Sequence, residues 1–247
     1  MPRIARGRQG GFAYHIINRA NGRAEIFHKN PDYEAFLSLL PAAKARHPVK
    51  VFAFCLMPNH FHFVLEPAHT TALSQFMQWL LTTHVRRYHK HYGGSSHIWQ
   101  GRFNSCPIQR DKHLITVLRY VLQNPVRAGL SSSAKDWQWS SLQRAEVVDR
   151  WPPADEPRWQ AQLDELVSDE ELTCVRESVN RQRPFGEIDW QAELASRFGL
   201  GTTLRPRGRP KTERKSRLSV RRGSGATNRL KSGAGNYRYT PLAKIRF

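Results

Sequence analysis

Three features of the 247-residue sequence predict an α+β fold, an antiparallel sheet with helices on one face. The first is a hairpin: Val51 to Leu56 and His60 to Leu65 are β-type runs joined by Met57-Pro58-Asn59, and Pro-Asn is turn chemistry. The second is the order of elements: strand, helix, strand, strand, helix, strand, helix, which with a hairpin at its centre suits a ferredoxin-like plan. The third is a change of composition near Gly201. Residues 201–247 hold 14 Lys and Arg against one acid, Glu213, so +13 of the net charge of +19 lies in a Gly/Ser/Arg-rich tail. Such a segment cannot bury enough apolar surface to fold alone and is expected to be disordered.

Phe12 to Asn18 reads as the first strand, ended by the turn-like, basic Arg19-Ala-Asn-Gly-Arg23. Asn30-Pro31-Asp32 supplies an N-cap, a proline at the first helical position and an acid in the first turn, so a helix starts there. Pro41 should kink or split it. After the hairpin, Thr71 to Tyr92 is a long helix with Leu73, Phe76, Met77, Leu80 and Leu81 near helical spacing. Its second half, His84 to Tyr92, is basic and aromatic: either a solvated face or a surface with rings available for stacking on nucleic acid. His97 to Gln109 is the fourth strand. Asp111 caps a helix running to about Asn124, where Pro125 forces the preceding residue out of helical geometry. Glu156 to Asn180, with a capping box at Ser168 and Glu171, and Trp190 to Phe198 are further helices. The expected division is a domain over 1–150, a helical extension over 151–200 and the basic tail over 201–247.

At 39% hydrophobic content, the chain can build one sizeable core plus appendages. Its charge names polyanions as partners. Cys55, Cys106 and Cys174 are odd in number, far apart and without a Cys-x-x-Cys, which excludes a disulfide framework or zinc knuckle and fits a reducing cytosol. The basic amino terminus precedes no apolar signal region, and no apolar run approaches the ~20 residues needed to cross a membrane. A soluble, cytoplasmic protein is expected.

Chemistry concentrates in two places. Alternation along the second hairpin strand sends Phe61 and Phe63 to one face and His60 and His62 to the other. Two neutral imidazoles side by side can hold a divalent cation. The plain alternative is a half-exposed strand whose polar face is histidine. The rest of the hairpin is almost wholly apolar, however, and burying two unpartnered imidazoles on it would be costly. In the helix from Asp111, Leu114, Ile115, Val117, Leu118, Val121 and Leu122 form one stripe, and Tyr120 and Asn124 fall side by side at its edge. A border tyrosine ordinarily packs its ring and wets its hydroxyl. Beside a cation it can instead act as a nucleophile on an electrophile that the metal polarises. The Asn124 amide oxygen would be a third, hard ligand that leaves positions open for phosphate oxygens.

Met57-Pro-Asn-His-Phe-His-Phe-Val-Leu65 resembles the HUH motif of single-tyrosine transposases. Trp99-Gln-Gly-Arg-Phe103 together with Leu118-Arg-Tyr-Val-Leu-Gln-Asn-Pro-Val-Arg-Ala-Gly-Leu130 is similar to the REP-associated tyrosine transposase branch, and the likeness runs from about Tyr14 to Leu142 in the family's order. By that resemblance His60 and His62 match the metal ligands, Tyr120 the nucleophile and Asn124 the third ligand. Relatives often have glutamine at that last position, and Gln123 lies about 100° round the helix. The resemblance implies a ferredoxin-like fold and a single-stranded DNA substrate bearing hairpins from repeated extragenic palindromes. It also implies Mg²⁺ or Mn²⁺ and a 5′-phosphotyrosine intermediate that leaves a free 3′-hydroxyl. A cytoplasmic, nucleoid-associated transposase is the expectation, with monomer or homodimer left open.

Arg19, Arg23, Arg102, Arg119 and Arg127 are candidate DNA contacts. Arg205-Pro-Arg-Gly-Arg-Pro-Lys211 resembles an AT-hook, with Arg207 and Arg209 in a narrow A·T minor groove; a generic basic tail is the alternative. Two rivals remain: a two-tyrosine HUH relaxase or initiator using Tyr88 and Tyr92, and a non-catalytic basic DNA-binding protein derived from a transposase.

Overall fold

The computed structural model describes residues 9–150 and 165–205. The AT-hook-like segment with Arg207 and Arg209, and the expected helical start at Glu156, lie outside the described residues. Strands β1 (Ala13–Arg19), β2 (Val49–Met57), β3 (His60–Pro67) and β4 (Asn104–Ile108) form one sheet in the order β2-β3-β1-β4. Every neighbouring pair is antiparallel. That order, with the hairpin's second strand inserted beside β1, is the ferredoxin-like arrangement.

Helices α1 (Asn30–Leu37) and α2 (Leu40–Arg46) are the split halves of the first crossover, and Pro41 sits in the first turn of α2, where its missing N–H costs nothing. The Asp32 carboxylate accepts from the backbone N–H groups of His28 and Lys29 at 2.9 and 3.1 Å, so the cap lies one residue earlier than Asn30. Helix α3 (Ala72–Tyr92) is the second crossover. Alternation in the strands sends Tyr14, Ile16, Phe54, Leu56, Phe61, Phe63 and Leu65 to the face that α1, α2 and α3 cover with Phe36, Leu40, Leu73, Phe76 and Leu80. Each such fully buried side chain contributes on the order of 1.5–3 kcal/mol through burial.

The opposite face, which the one-faced plan leaves open, carries Ala13, Ala53, Cys55, Val64 and Ile108. Helix α4 (Lys112–Leu122) covers it with Leu114, Val117, Leu118 and Val121. Asp111 caps α4 by accepting from His113 N–H at 2.9 Å. The helix ends at Leu122, and a short turn, α5 (Asn124–Arg127), restarts with Pro125 at its beginning. Helix α6 (Asp169–Arg181) opens on the capping box expected at Ser168 and Glu171, and α7 (Ile188–Phe198) follows. This extension docks on α4 and β4: Thr116 Oγ1 donates to Glu171 at 3.1 Å, Cys106 Sγ to the Ser178 carbonyl at 3.2 Å, and Phe185 N–H to the Pro107 carbonyl at 2.9 Å.

The fourth strand is shorter than the span His97 to Gln109. Before Asn104 the chain crosses the end of the sheet instead. Trp99 makes a single antiparallel bridge to Ala20, and its ring packs 5.1 Å from Phe61. Gly101 follows at φ +146°, outside the range that a side chain adopts freely.

Candidate active site

His60 and His62 stand at the start of β3 on the face turned to α4, opposite Phe61 and Phe63 in the core. Pairing with β1 sets Arg19 across from His60 and Ile17 across from His62. The two imidazole centroids are 5.1 Å apart. Tyr120, on the inner face of α4, brings its ring to 5.7 Å from His62, edge-on. The two histidines of β3 and the tyrosine of α4, far apart in sequence, thus form one cluster.

A third histidine, which the local spacing of the sequence does not single out, joins them. His15 lies in the middle of β1, and its Nε2 sits 2.9 Å from His62 Nδ1, with its ring 5.6 Å from Tyr120. His15 and His62 are each 2% exposed and Tyr120 8%. The signal is present in Tyr14-His15-Ile16, since alternation puts His15 on the face opposite Tyr14 and Ile16. Only the pairing register sets it beside His62.

All three imidazoles are held neutral. Burial lowers His15 to about 3. Burial and then the Arg19 charge lower His60 to about 3. His62 is pushed well below the usual histidine range by burial, then by His60, His15, Arg127 and Arg19. A neutral ring with a free lone pair is the form that binds metal. His60 has its Nδ1 engaged with Asn59 Oδ1 at 2.7 Å and His62 its Nδ1 with His15 Nε2, which leaves Nε2 of His60 and His62 as the ring nitrogens available to a ligand. Among the described residues no group of three or more His, Cys, Asp or Glu side chains is placed to hold a metal ion. A cation held by the two imidazoles of His60 and His62 would take its remaining ligands from oxygen donors.

The two amides after Tyr120 separate cleanly. Gln123 is buried, donates through Nε2 to the Glu165 carbonyl at 2.6 Å and accepts on Oε1 from Val167 N–H at 3.2 Å, so it fastens the extension. Asn124 donates through Nδ2 to the carbonyls of Tyr120 and Val121 at 3.0 and 3.2 Å, which keeps Oδ1 as its available atom.

The candidate arginines also divide. Arg127 folds back from α5 so that its guanidinium carbon lies 4.5 Å from the Tyr120 ring centroid, while Nη2 donates to the Tyr120 carbonyl. Its Nη1 and the Nε of Arg19 are buried without a hydrogen-bond partner. Both guanidinium groups lie within electrostatic reach of Tyr120. Arg119 instead donates to the carbonyls of Glu165 and Leu166, each at 2.9 Å, and belongs to the docking of the extension. Arg23 and Arg102 are exposed. Tyr88 and Tyr92 engage other groups: His28 Nε2 is 3.0 Å from the Tyr88 hydroxyl, and Tyr92 donates to both oxygens of Asp32 at 2.8 and 2.7 Å.

The chain is similar to several known proteins. Residues 9–124 match the family described as "Transposase IS200 like". The chain is 29% identical over 116 residues to a protein of Haemophilus influenzae provisionally named REP-associated tyrosine transposase, covering 43% of this chain and 66% of that relative. It is 24% identical over 138 residues to the REP-associated tyrosine transposase of Escherichia coli, covering 55% of this chain and 79% of the relative. A solved structure of a REP-associated tyrosine transposase bound to a REP hairpin aligns with 64% of this chain and 96% of its own, at 20% identity and a TM-score of 0.48. No described helix is long and apolar enough to cross a membrane.

Proposed function

We propose that the chain, whose residues 9–124 match the family described as "Transposase IS200 like", cleaves and rejoins single-stranded, hairpin-bearing DNA through Tyr120. The observation that carries this is the packing of the Tyr120 ring against His62, with His60 5.1 Å from His62, which sets the hydroxyl-bearing residue beside a pair of imidazoles that each keep Nε2 to spare.

In this proposal His60, His62 and the Asn124 amide oxygen hold a divalent cation, and Mn²⁺ suits two imidazoles better than Mg²⁺, which prefers oxygen. When bound, the cation polarises a phosphate oxygen and offsets charge building on the phosphoryl group. The Tyr120 hydroxyl, giving its proton to a water molecule, attacks the phosphorus. A Tyr–O–P bond forms, the P–O3′ bond breaks, and the departing 3′ oxygen takes up a proton to become a free hydroxyl. The products are a 5′-phosphotyrosine and a 3′-hydroxyl end. Rejoining is the reverse attack and needs no nucleotide cofactor, because the phosphodiester is conserved.

Arg19 and Arg127 suit the scissile phosphate. Each offers a buried, unpartnered N–H, and an unsatisfied buried donor costs about 1–3 kcal/mol, so an anionic oxygen would relieve it. Arg127 also braces the tyrosine through its ring and carbonyl. His15 touches neither cation nor DNA. It fixes the tautomer and plane of His62, as a partner on the far ring nitrogen does for metal-bound histidines.

The test is incubation of the full-length protein with labelled single-stranded hairpin DNA and Mn²⁺, with and without EDTA. The proposal requires a covalent protein–DNA adduct that forms with Mn²⁺ and does not form when EDTA is present from the start. Binding without metal-dependent cleavage across a panel of hairpins would favour a non-catalytic DNA-binding protein.

A further inference from the structure

On the core side of the sheet, away from Tyr120, helix α3 and the segment over residues 95–103 enclose an open groove of about 1210 Å3. Thr82, Arg86 and His89 on α3 face Trp99, Arg102 and Phe103. Three observations bear on what it takes. Arg86 and Arg102 are exposed on its walls, and none of the described residues lining it is a carboxylate. Its lining between those charges, including Leu81 and Val85, is largely apolar. Trp99 is 6% exposed, and its indole Nε1 is buried without a hydrogen-bond partner. Its ring lies against Phe61 and Phe36, so it gives the groove a wall anchored in the core.

The groove is also fastened to the catalytic end of the sheet. Trp99 bridges to Ala20, Gln100 N–H donates to the Arg19 carbonyl at 2.9 Å, and Asn18 Nδ2 donates to the Gly101 carbonyl at 3.3 Å. Arg19 pairs across from His60. The wall of the groove is therefore stitched to the strand end beside the proposed metal ligands.

We propose that this groove binds a single-stranded DNA segment continuous with the strand presented to Tyr120. Arg86 and Arg102 take successive phosphates, and unstacked bases enter the apolar channel against the wall that Trp99 anchors. Single strands suit such a surface because bases offer an apolar face and the backbone complements the cations. The inference rests on the function proposed above and names where the flanking strand runs.

The full-length protein would be titrated with a fluorescent hairpin bearing a single-stranded extension of about eight nucleotides, within the range of single-strand sites, and with the same hairpin bare. Arg86→Ala combined with Arg102→Ala should weaken the extended substrate about tenfold more than the bare one. Its log-log salt slope should fall by about 1.4, at about 0.7 for each phosphate no longer neutralised. Thr82→Trp, which fills the groove from an exposed position, should show the same selectivity. A 2-aminopurine in the extension should change fluorescence on binding wild type and not on binding Thr82→Trp. Equal losses on both substrates, or full affinity in Thr82→Trp, would overturn the groove as the path of the strand. The wild-type adduct, measured in parallel, separates the two failures. An adduct that forms while groove variants bind normally sinks the groove alone, and no adduct in wild type sinks the proposed function.

Discussion

His15 Nε2 and His62 Nδ1 lie 2.9 Å apart between adjacent strands, both rings buried and both neutral. If His62 binds a cation through Nε2, its proton must sit on Nδ1 and point at His15. Replacing His15 by Ala removes that acceptor without removing a ligand. Titration of the protein with Mn²⁺, read by calorimetry, should show affinity reduced about 10- to 100-fold, the usual cost of losing such a partner. His15→Asn, which can still accept, should recover part of the loss. Equal Mn²⁺ affinity in wild type and His15→Ala would mean that the contact is packing alone.

Asn124 and Gln123 should fail in different ways. Gln123→Ala removes two buried hydrogen bonds to residues 165–167 and should lower stability by about 1–3 kcal/mol while leaving Mn²⁺ affinity nearly intact. Asn124→Ala should weaken Mn²⁺ binding with a smaller effect on unfolding. A reversed pattern would move the third ligand to Gln123.

The difference between these neighbours shows what the sequence could and could not disclose. Strand alternation alone places His60 and His62 together, opposite Phe61 and Phe63, and helical period alone puts Tyr120 and Asn124 on one edge. Both are local rules. His15 needs the β1–β3 register, and Gln123 needs the position of the extension, neither of which short-range spacing encodes. Arg127 is a candidate DNA contact by sequence, but its return over the Tyr120 ring depends on the short turn that restarts at Pro125. The expected break at Asn124 falls instead at Gln123, and Asn124, the residue before Pro125, is the first helical residue of that turn. The span His97 to Gln109 reads as β because Trp99 and Phe103 are strand-prone. In the fold these rings face the core across the end of the sheet rather than lying in its ladder.

Acid should destabilise the core in a defined window. His84 lies among Phe27, Phe36 and Trp99, and burial first, then Arg87, lower its pKa to about 4 despite the opposing Asp32 charge. The unfolded chain therefore binds a proton below about 6.5 that the folded chain refuses until about 4, so stability falls as pH falls through that window. The slope from one such group approaches about 1.4 kcal/mol per pH unit. His84→Phe, which keeps an aromatic ring there, should flatten the dependence of urea unfolding on pH between about 6.5 and 4 by close to one proton. An unchanged slope would show that His84 does not take part.

Removal of the basic tail should separate affinity from chemistry. Leu200 and Thr203 are buried, and Arg181 Nε donates to the Thr203 carbonyl at 2.8 Å, so the cut belongs after Pro206 rather than at Gly201. A protein ending at Pro206 should bind hairpin DNA more weakly and with a shallower salt dependence, by about 0.7 in log-log slope for each single-strand phosphate that the tail neutralises. Adduct formation at saturating DNA should remain. Loss of cleavage from fully bound, folded protein would mean that the tail helps build the active complex.

The central claim is that Tyr120 is the nucleophile, and peptide mapping of the covalent adduct by mass spectrometry tests it most directly. Full-length protein, hairpin DNA and Mn²⁺ should yield a single nucleotide-modified peptide carrying Tyr120. That adduct should disappear in Tyr120→Phe and persist when Tyr88 and Tyr92 are both changed to Phe. An adduct mapped to Tyr88 or Tyr92, or one that survives in Tyr120→Phe, would contradict the account.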